Sequence, residues 1–248
     1  MKKCVLGVAA AMAFSAVCVA EGLESANIVG YVNYSTEANK MDILGAQFVN
    51  AGSDSLDLQS ITLSDFTDGT DWIKIYTPGV GYETYGYYAD TITDLDSWES
   101  AGEGWGDNDS VRTVGVKLDP GQGFWLSTKK NCTVTMPGEV LTSTSETLEI
   151  AGGKMDIMTS PYPMVLDIQK IKISNFTDGT DWLKVYTAGV GYETYTYFAD
   201  TIKDMESWES AGEGWGDNGS VRTVGATLNP GQGFWISTKQ DATVTISR

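Results

Sequence analysis

Apolar and polar side chains take turns along much of this chain, with the two-residue period of a half-buried strand rather than the 3.6-residue period of a helix. Ile61-Thr62-Leu63 and Ile171-Lys172-Ile173 show the alternation directly. Trp72-Ile73-Lys74-Ile75-Tyr76 and Trp182-Leu183-Lys184-Val185-Tyr186 add the β-branched and aromatic content that suits a pleated surface. Asn27 to Tyr34, Tyr82 to Tyr88, Val111 to Leu118, Gly123 to Ser127 and Cys132 to Thr135 read as further strands. Gly79-Val80-Gly81 predicts a hairpin turn, and Asp119-Pro120-Gly121-Gln122 a tight turn in which proline presets φ. Ala89 to Ser100 has weaker strand character and room for a short helical turn. Gly102 to Asn108 predicts a loop, because glycine at every second position makes a regular element costly in entropy. With no long amphipathic helix in view, the pattern predicts an all-β fold of antiparallel strands, as a sandwich or a partly closed barrel.

The pattern occurs twice. Ile61 to Met136 matches Ile171 to Ile246 without a gap at an offset of 110 residues, with roughly three quarters of the positions identical. All eight tryptophans lie within the two copies. Upstream, Lys40-Met41-Asp42-Ile43-Leu44 returns as Lys154-Met155-Asp156-Ile157-Met158 at an offset of 114, which places four extra residues in the polar stretch around Asn50 to Ser55. Pro137-Gly138-Glu139-Val140 reads as the connector, and no flexible linker separates the copies. The expected layout is a signal peptide over 1–20, one β domain over 21–137 and a second, touching it, over 138–248.

Lys2 and Lys3 followed by the apolar Val5 to Val19 and a small residue at Ala20 form the pattern of a cleaved secretory signal. An uncleaved anchor and a lipid-modified Cys18 are the competing readings; Ser15-Ala16-Val17 is a poor lipid-attachment context. Removal of the signal leaves 14 basic against 33 acidic residues. A field of that sign repels nucleic acid and anionic membrane surfaces. The chain has no histidine, which excludes Ser–His and Cys–His nucleophiles and histidine-bound zinc. Cys132 remains alone after cleavage, and Ala242 replaces it in the second copy, so a buried small side chain is the expected role.

Lys74-Ile75-Tyr76-Thr77-Pro78-Gly79-Val80-Gly81-Tyr82 and Asp119-Pro120-Gly121-Gln122-Gly123-Phe124-Trp125, with their counterparts Lys184 to Tyr192 and Asn229 to Trp235, resemble an uncharacterised β-rich repeat domain of secreted bacterial surface proteins. The usual first block of that pattern has Asn-Pro where this chain has Met41 to Ala46. The resemblance implies a β fold and an exported, extracellular or outer-surface location in a bacterium. It supplies no activity and no catalytic residue.

Three constellations could carry chemistry. Asp65, Asp68 and Asp71, with Asp107 and Asp109, place carboxylates on turns as Ca²⁺ requires, although the twelve-residue calcium loop and its closing Glu are missing. Asn175 and Gly219 replace Asp65 and Asp109 in the second copy; local turn hydrogen bonds are the simpler role. Aromatic residues crowd the repeats, and Trp98, Trp105, Tyr82 with Trp208, Trp215, Tyr192 are candidates to stack on a sugar, Trp105 and Trp215 foremost because a Gly-rich loop would expose them. Trp125 and Trp235 read as core. Glu99, Glu103 and Asp96 could flank a glycosidic bond, but acidic residues are too plentiful here for their spacing to assign a reaction. The expectation is a non-catalytic structural or adhesive protein that presents one module twice. Its partners would be further copies of itself, met through sheet edges, or a cell-surface glycan. A soluble carbohydrate-binding module is the alternative and a polysaccharide-active enzyme the third. No cofactor is expected unless it is Ca²⁺.

Overall fold

Residues 29–77, 81–107, 109–187, 191–217 and 220–248 are described by a computed structural model. The expected signal peptide and the tips of the hairpins after Thr77 and Thr187 lie outside them. In chain order the first half contains β1 (Val29–Ser35), β2 (Met41–Gly45), β3 (Phe48–Val49), β4 (Leu56–Asp57), β5 (Thr62–Ser64), β6 (Trp72–Thr77), β7 (Gly81–Ile92), β8 (Ser100–Gly106), β9 (Lys117–Leu118), β10 (Gly123–Ser127) and β11 (Thr133–Val140). The second half contains β12 (Ser145–Ile150), β13 (Met155–Thr159), β14 (Leu166–Asp167), β15 (Ile171–Ser174), β16 (Trp182–Thr187), β17 (Gly191–Ile202), β18 (Ser210–Gly216), β19 (Thr227–Leu228), β20 (Gly233–Ser237) and β21 (Ala242–Ser247). The only helical segments among the described residues are the three-residue 3₁₀ turns Leu58–Ser60 and Ile168–Lys170.

The protein is therefore all-β. Each half has a five-stranded antiparallel sheet, β2-β10-β6-β7-β8 and β13-β20-β16-β17-β18. A smaller sheet faces it, built from β1, β11, β3 and β5 in the first half and from β12, β21 and β15 in the second. The sheets are open, so the barrel alternative gives way to a sandwich. Alternation decides the core: Leu63, Val134 and Met136 from the small sheet meet Ile73, Ile75, Tyr87, Phe124 and Leu126 from the large one. The second core repeats this with Ile173, Val244, Leu183, Tyr197 and Phe234.

Four local expectations need correction. The run from Gly102 is not a loop but β8, and so is its counterpart β18. The glycines there make room: a Cβ on Gly104 would lie 2.4 Å from Gln59 Oε1 and 3.4 Å from the Arg112 guanidinium. Val111 to Leu118 is strand only at Lys117–Leu118, because Gly115 turns the chain at φ 77°. Ala89 to Ser100 is not weak in strand throughout: β7 continues to Ile92, and a single turn follows, closed by Trp98 N on the Asp94 carbonyl. The supposed connector Pro137 to Val140 is the end of β11, pairing with β1 and β3. Gly138 permits this, since a Cβ there would sit 2.6 Å from the Val49 carbonyl oxygen. All strands paired with β11 belong to the first half, so no sheet merges across Pro137.

The halves meet through reciprocal contacts. Leu44 bridges Gln232, and Met158 bridges Gln122. A Cβ on Gly123 would stand 2.3 Å from Ile157 Cγ2, and one on Gly233 2.4 Å from Ile43 Cγ2. Gly45 approaches Thr159, and Trp125 meets Trp235 edge-on with ring centroids 5.6 Å apart. Each pair exchanges matching positions, as in an isologous two-fold interface. Buried Gln47 crosses the junction, donating to the Ser160 and Tyr162 carbonyls at 3.0 and 2.8 Å. Substituting Gly233→Val or Gly123→Val should therefore overpack the junction and lower stability by about 1–3 kcal/mol. Urea unfolding checks this, and unchanged midpoints would show that the halves do not depend on this approach.

Candidate functional site

Trp105 and Trp215 are core residues with no exposed surface, which removes them as ligand contacts. Each indole Nε1–H donates to a backbone carbonyl, of Ile61 at 2.7 Å and of Ile171 at 2.8 Å. Tyr87 and Tyr197 pack edge-on against them at 4.8 Å. The strand positions themselves are held by an amide. Asp57 caps the 3₁₀ turn by accepting from Gln59 N, which directs the Gln59 side chain onto β8. Gln59 Nε2 donates to the Trp105 and Thr113 carbonyls at 2.7 Å, and Gln59 Oε1 accepts from Trp105 N at 3.1 Å. Gln169 does the same for Trp215.

Trp98 and Trp208 stand in the open, at 68% and 65% exposure. Both have left-handed backbone, with φ of 53° and 54°, a genuine outlier for a bulky residue. The turn that enforces it is built on one carboxylate. Asp94 Oδ1 accepts from Asp96 N and Ser97 N at 3.0 and 2.7 Å, and its carbonyl accepts from Trp98 N at 3.2 Å. Asp204 holds Trp208 through the same bonds from Glu206, Ser207 and Trp208. Hydrogen bonds from Ser97 and Ser207 hold these carboxyls below their ordinary range, so the turn keeps its bonds at neutral pH and loosens as pH falls through the lowered value. Leu95 and Met205, also exposed, lie on the same two turns.

Tyr82 and Tyr192 are about half exposed on the outer faces of the large sheets. They rest against Tyr76 and Tyr186 at 5.2 Å. Burial raises the Tyr82 phenol above its usual value, with Asp156 of the other half adding to the shift. Tyr82 is the second residue of β7 and Trp98 follows its far end, a rise of about 30 Å along the strand, so the aromatic candidates form two sites rather than one. Trp125 and Trp235, expected in the core, are half-buried at the junction instead. They escaped the sequence reading because no periodicity distinguishes a core face from a face covered by the second half.

The acidic candidates do not converge. Asp71 is fully buried and accepts from Thr67 N and Lys129 N, each at 2.7 Å, clamping two turns together. Asp68 accepts from Ala89 N at 2.8 Å, and Asp107 from Asp109 N and Val111 N at 3.0 and 3.1 Å. Asp65 has φ 58° and its counterpart Asn175 φ 53°, a backbone both residue types tolerate, which accounts for their exchange. Among the described residues no three Asp, Glu, Cys or His side chains gather as a metal site. Glu103 accepts from the Tyr87 hydroxyl at 2.8 Å, while Asp96 and Glu99 lie on the exposed Trp98 turn. Cys132 is buried, as expected, and burial raises its thiol. Among the described residues no helix is long and apolar enough to cross a membrane.

The left-handed turn has a simple signature. Trp98→Gly should be more stable than Trp98→Ala by about 1 kcal/mol, the reverse of the order at an ordinary strand or helix position. Thermal unfolding of the two variants measures it, and an advantage for alanine would mean that the backbone relaxes out of this conformation.

Comparison with family models, curated proteins and solved structures finds no match to this chain.

Proposed function

We propose that this is an exported, non-catalytic structural or adhesive protein of a bacterial surface, made of two tandem homologous β domains that present the same binding element twice. The observation that carries this reading is the pair of exposed indoles, Trp98 and Trp208, each fixed by an Asp-based turn in an unfavourable backbone conformation. Strain of this kind persists only where surrounding structure enforces it. A rigid, pre-positioned aromatic loses little entropy on binding, which suits it as an anchor. The equal turns in both halves, the matching registers β6–β7 and β16–β17, and the near-identical sequences support duplication of one module. The export pattern at the N-terminus and the acidic, histidine-free composition support a role outside the cell that needs no general base.

Two linked copies of one contact raise apparent affinity by avidity. Fluorescently labelled protein should bind intact cells of the producing strain or assemble with itself. Trp98→Ala or Trp208→Ala alone should weaken that binding roughly a hundredfold, and the pair should abolish it. A protein that stays monomeric and ignores cell surfaces, or binds as well without both indoles, would defeat this reading.

A further inference from the structure

The turns with Trp98 and Trp208 leave a second group of aromatic residues unused, on the outer faces of the large sheets. Strand alternation sends Trp72, Lys74 and Tyr76 of β6 outward, and the register sets Lys74 between Trp125 of β10 and Thr84 of β7. The second half repeats the arrangement, with Lys184 between Trp235 and Thr194 and with Tyr186 opposite Tyr192. Met155, Trp182, Lys184, Tyr192, Thr194 and Trp235 line an open groove of about 430 Å³. The Lys184 ammonium lies 4.6 Å above the Trp182 ring, and that of Lys74 5.0 Å above Trp72. These side chains belong to neither hydrophobic core.

We propose that these two faces form a binding site for one uncharged polysaccharide chain, running across the junction from Trp72 to Trp182. Charge narrows the partner first. The groove beside Lys184 is lined by one cation and no carboxylate, so a basic peptide finds nothing to pair with there; Asp119, Glu149 and Asp156 gather instead beside Tyr76. The whole chain carries a net charge of −17, which repels a polyanion. An uncharged partner that uses both flat rings and hydrogen-bonding groups remains, and a neutral sugar polymer is such a partner. The C–H face of a pyranose stacks on an indole or phenol ring. Its hydroxyls accept from the lysine ammonium and exchange hydrogen bonds with the Thr84 or Thr194 hydroxyl. The rings stand on strands of a stiff sheet, so their positions are set before the ligand arrives.

The length of the site follows from the junction. Trp125 adjoins Lys74, Trp235 adjoins Lys184, and the two indoles touch at 5.6 Å. They join the two aromatic faces into one strip, to which an extended polymer can bind at two equivalent sites at once. This site is separate from the Trp98 and Trp208 turns, and the two proposals succeed or fail independently.

The test is electrophoresis of the full chain, as its host processes it, through gels containing hydroxyethylcellulose, glucomannan or polygalacturonate. Retardation is expected in at least one of the two neutral gels and not in polygalacturonate. Trp72→Ala and Trp182→Ala should each weaken it about tenfold, and the double variant should migrate as in a plain gel. Tyr82→Ala with Tyr192→Ala, at half-exposed positions, should weaken it with an unchanged melting temperature. Trp98→Ala with Trp208→Ala should leave it intact. No retardation in either neutral gel, retardation confined to polygalacturonate, or retardation that survives the Trp72 and Trp182 changes would overturn the proposal.

Discussion

Gly123 and Gly233 have no Cβ, and that absence lets the backbone of each half lie against an isoleucine of the other. The approach is too close for any side chain, and it is repeated with partners exchanged. Everything shared between the halves is arranged around it. The turns before these glycines, Asp119 to Gln122 and Asn229 to Gln232, reach over the junction, where Thr159 N donates to the Gly121 carbonyl at 2.9 Å and Gln232 bridges Leu44. Gln122 and Gln232 brace the turns by donating to the Tyr76 and Tyr186 carbonyls. The Pro-Gly-Gln-Gly-Phe-Trp run is thus two devices in six residues. Its phenylalanine fills the core of its own half, and its glycines and tryptophan meet the other half.

The junction also explains what strand periodicity could and could not reveal. Trp72 to Tyr76 was legible as a strand because its Ile and Lys alternate between two different environments. Ile73 and Ile75 lie in the core as that alternation implies. The buried face of β8 was not legible, because its glycines signal flexibility unless the Gln59 and Arg112 side chains that cover them are known. That cover comes from residues 45 positions earlier and 8 later than Gly104, a separation no local pattern reports. The same gap misplaced Trp105, whose neighbours in sequence suggest exposure and whose neighbours in space are Tyr87 and the Ile61 carbonyl.

Candidate sites divide along the same line. The exposed character of Trp98 follows from its Asp94–Ser97 turn, which the sequence contains in full. The left-handed backbone that distinguishes it is a consequence of closing that turn. The aspartates were legible as turn residues but not as a metal site, since each carboxylate's orientation depends on a distant N–H such as Ala89 or Lys129. The outer sheet face needed registers: only pairing shows that Trp72, Lys74, Thr84 and Trp125 share a surface.

The Gln59 amide has a consequence for behaviour at high concentration. A sheet recruits another molecule by offering a free N–H and carbonyl along its last strand. Near the C-terminal end of β8 that row is already taken, because Trp105 N and its carbonyl are both bonded to Gln59 of the same chain, and β18 is closed in the same manner by Gln169. Strand addition onto this edge of either large sheet would stall at that residue, so a neighbouring molecule cannot extend the sheet there.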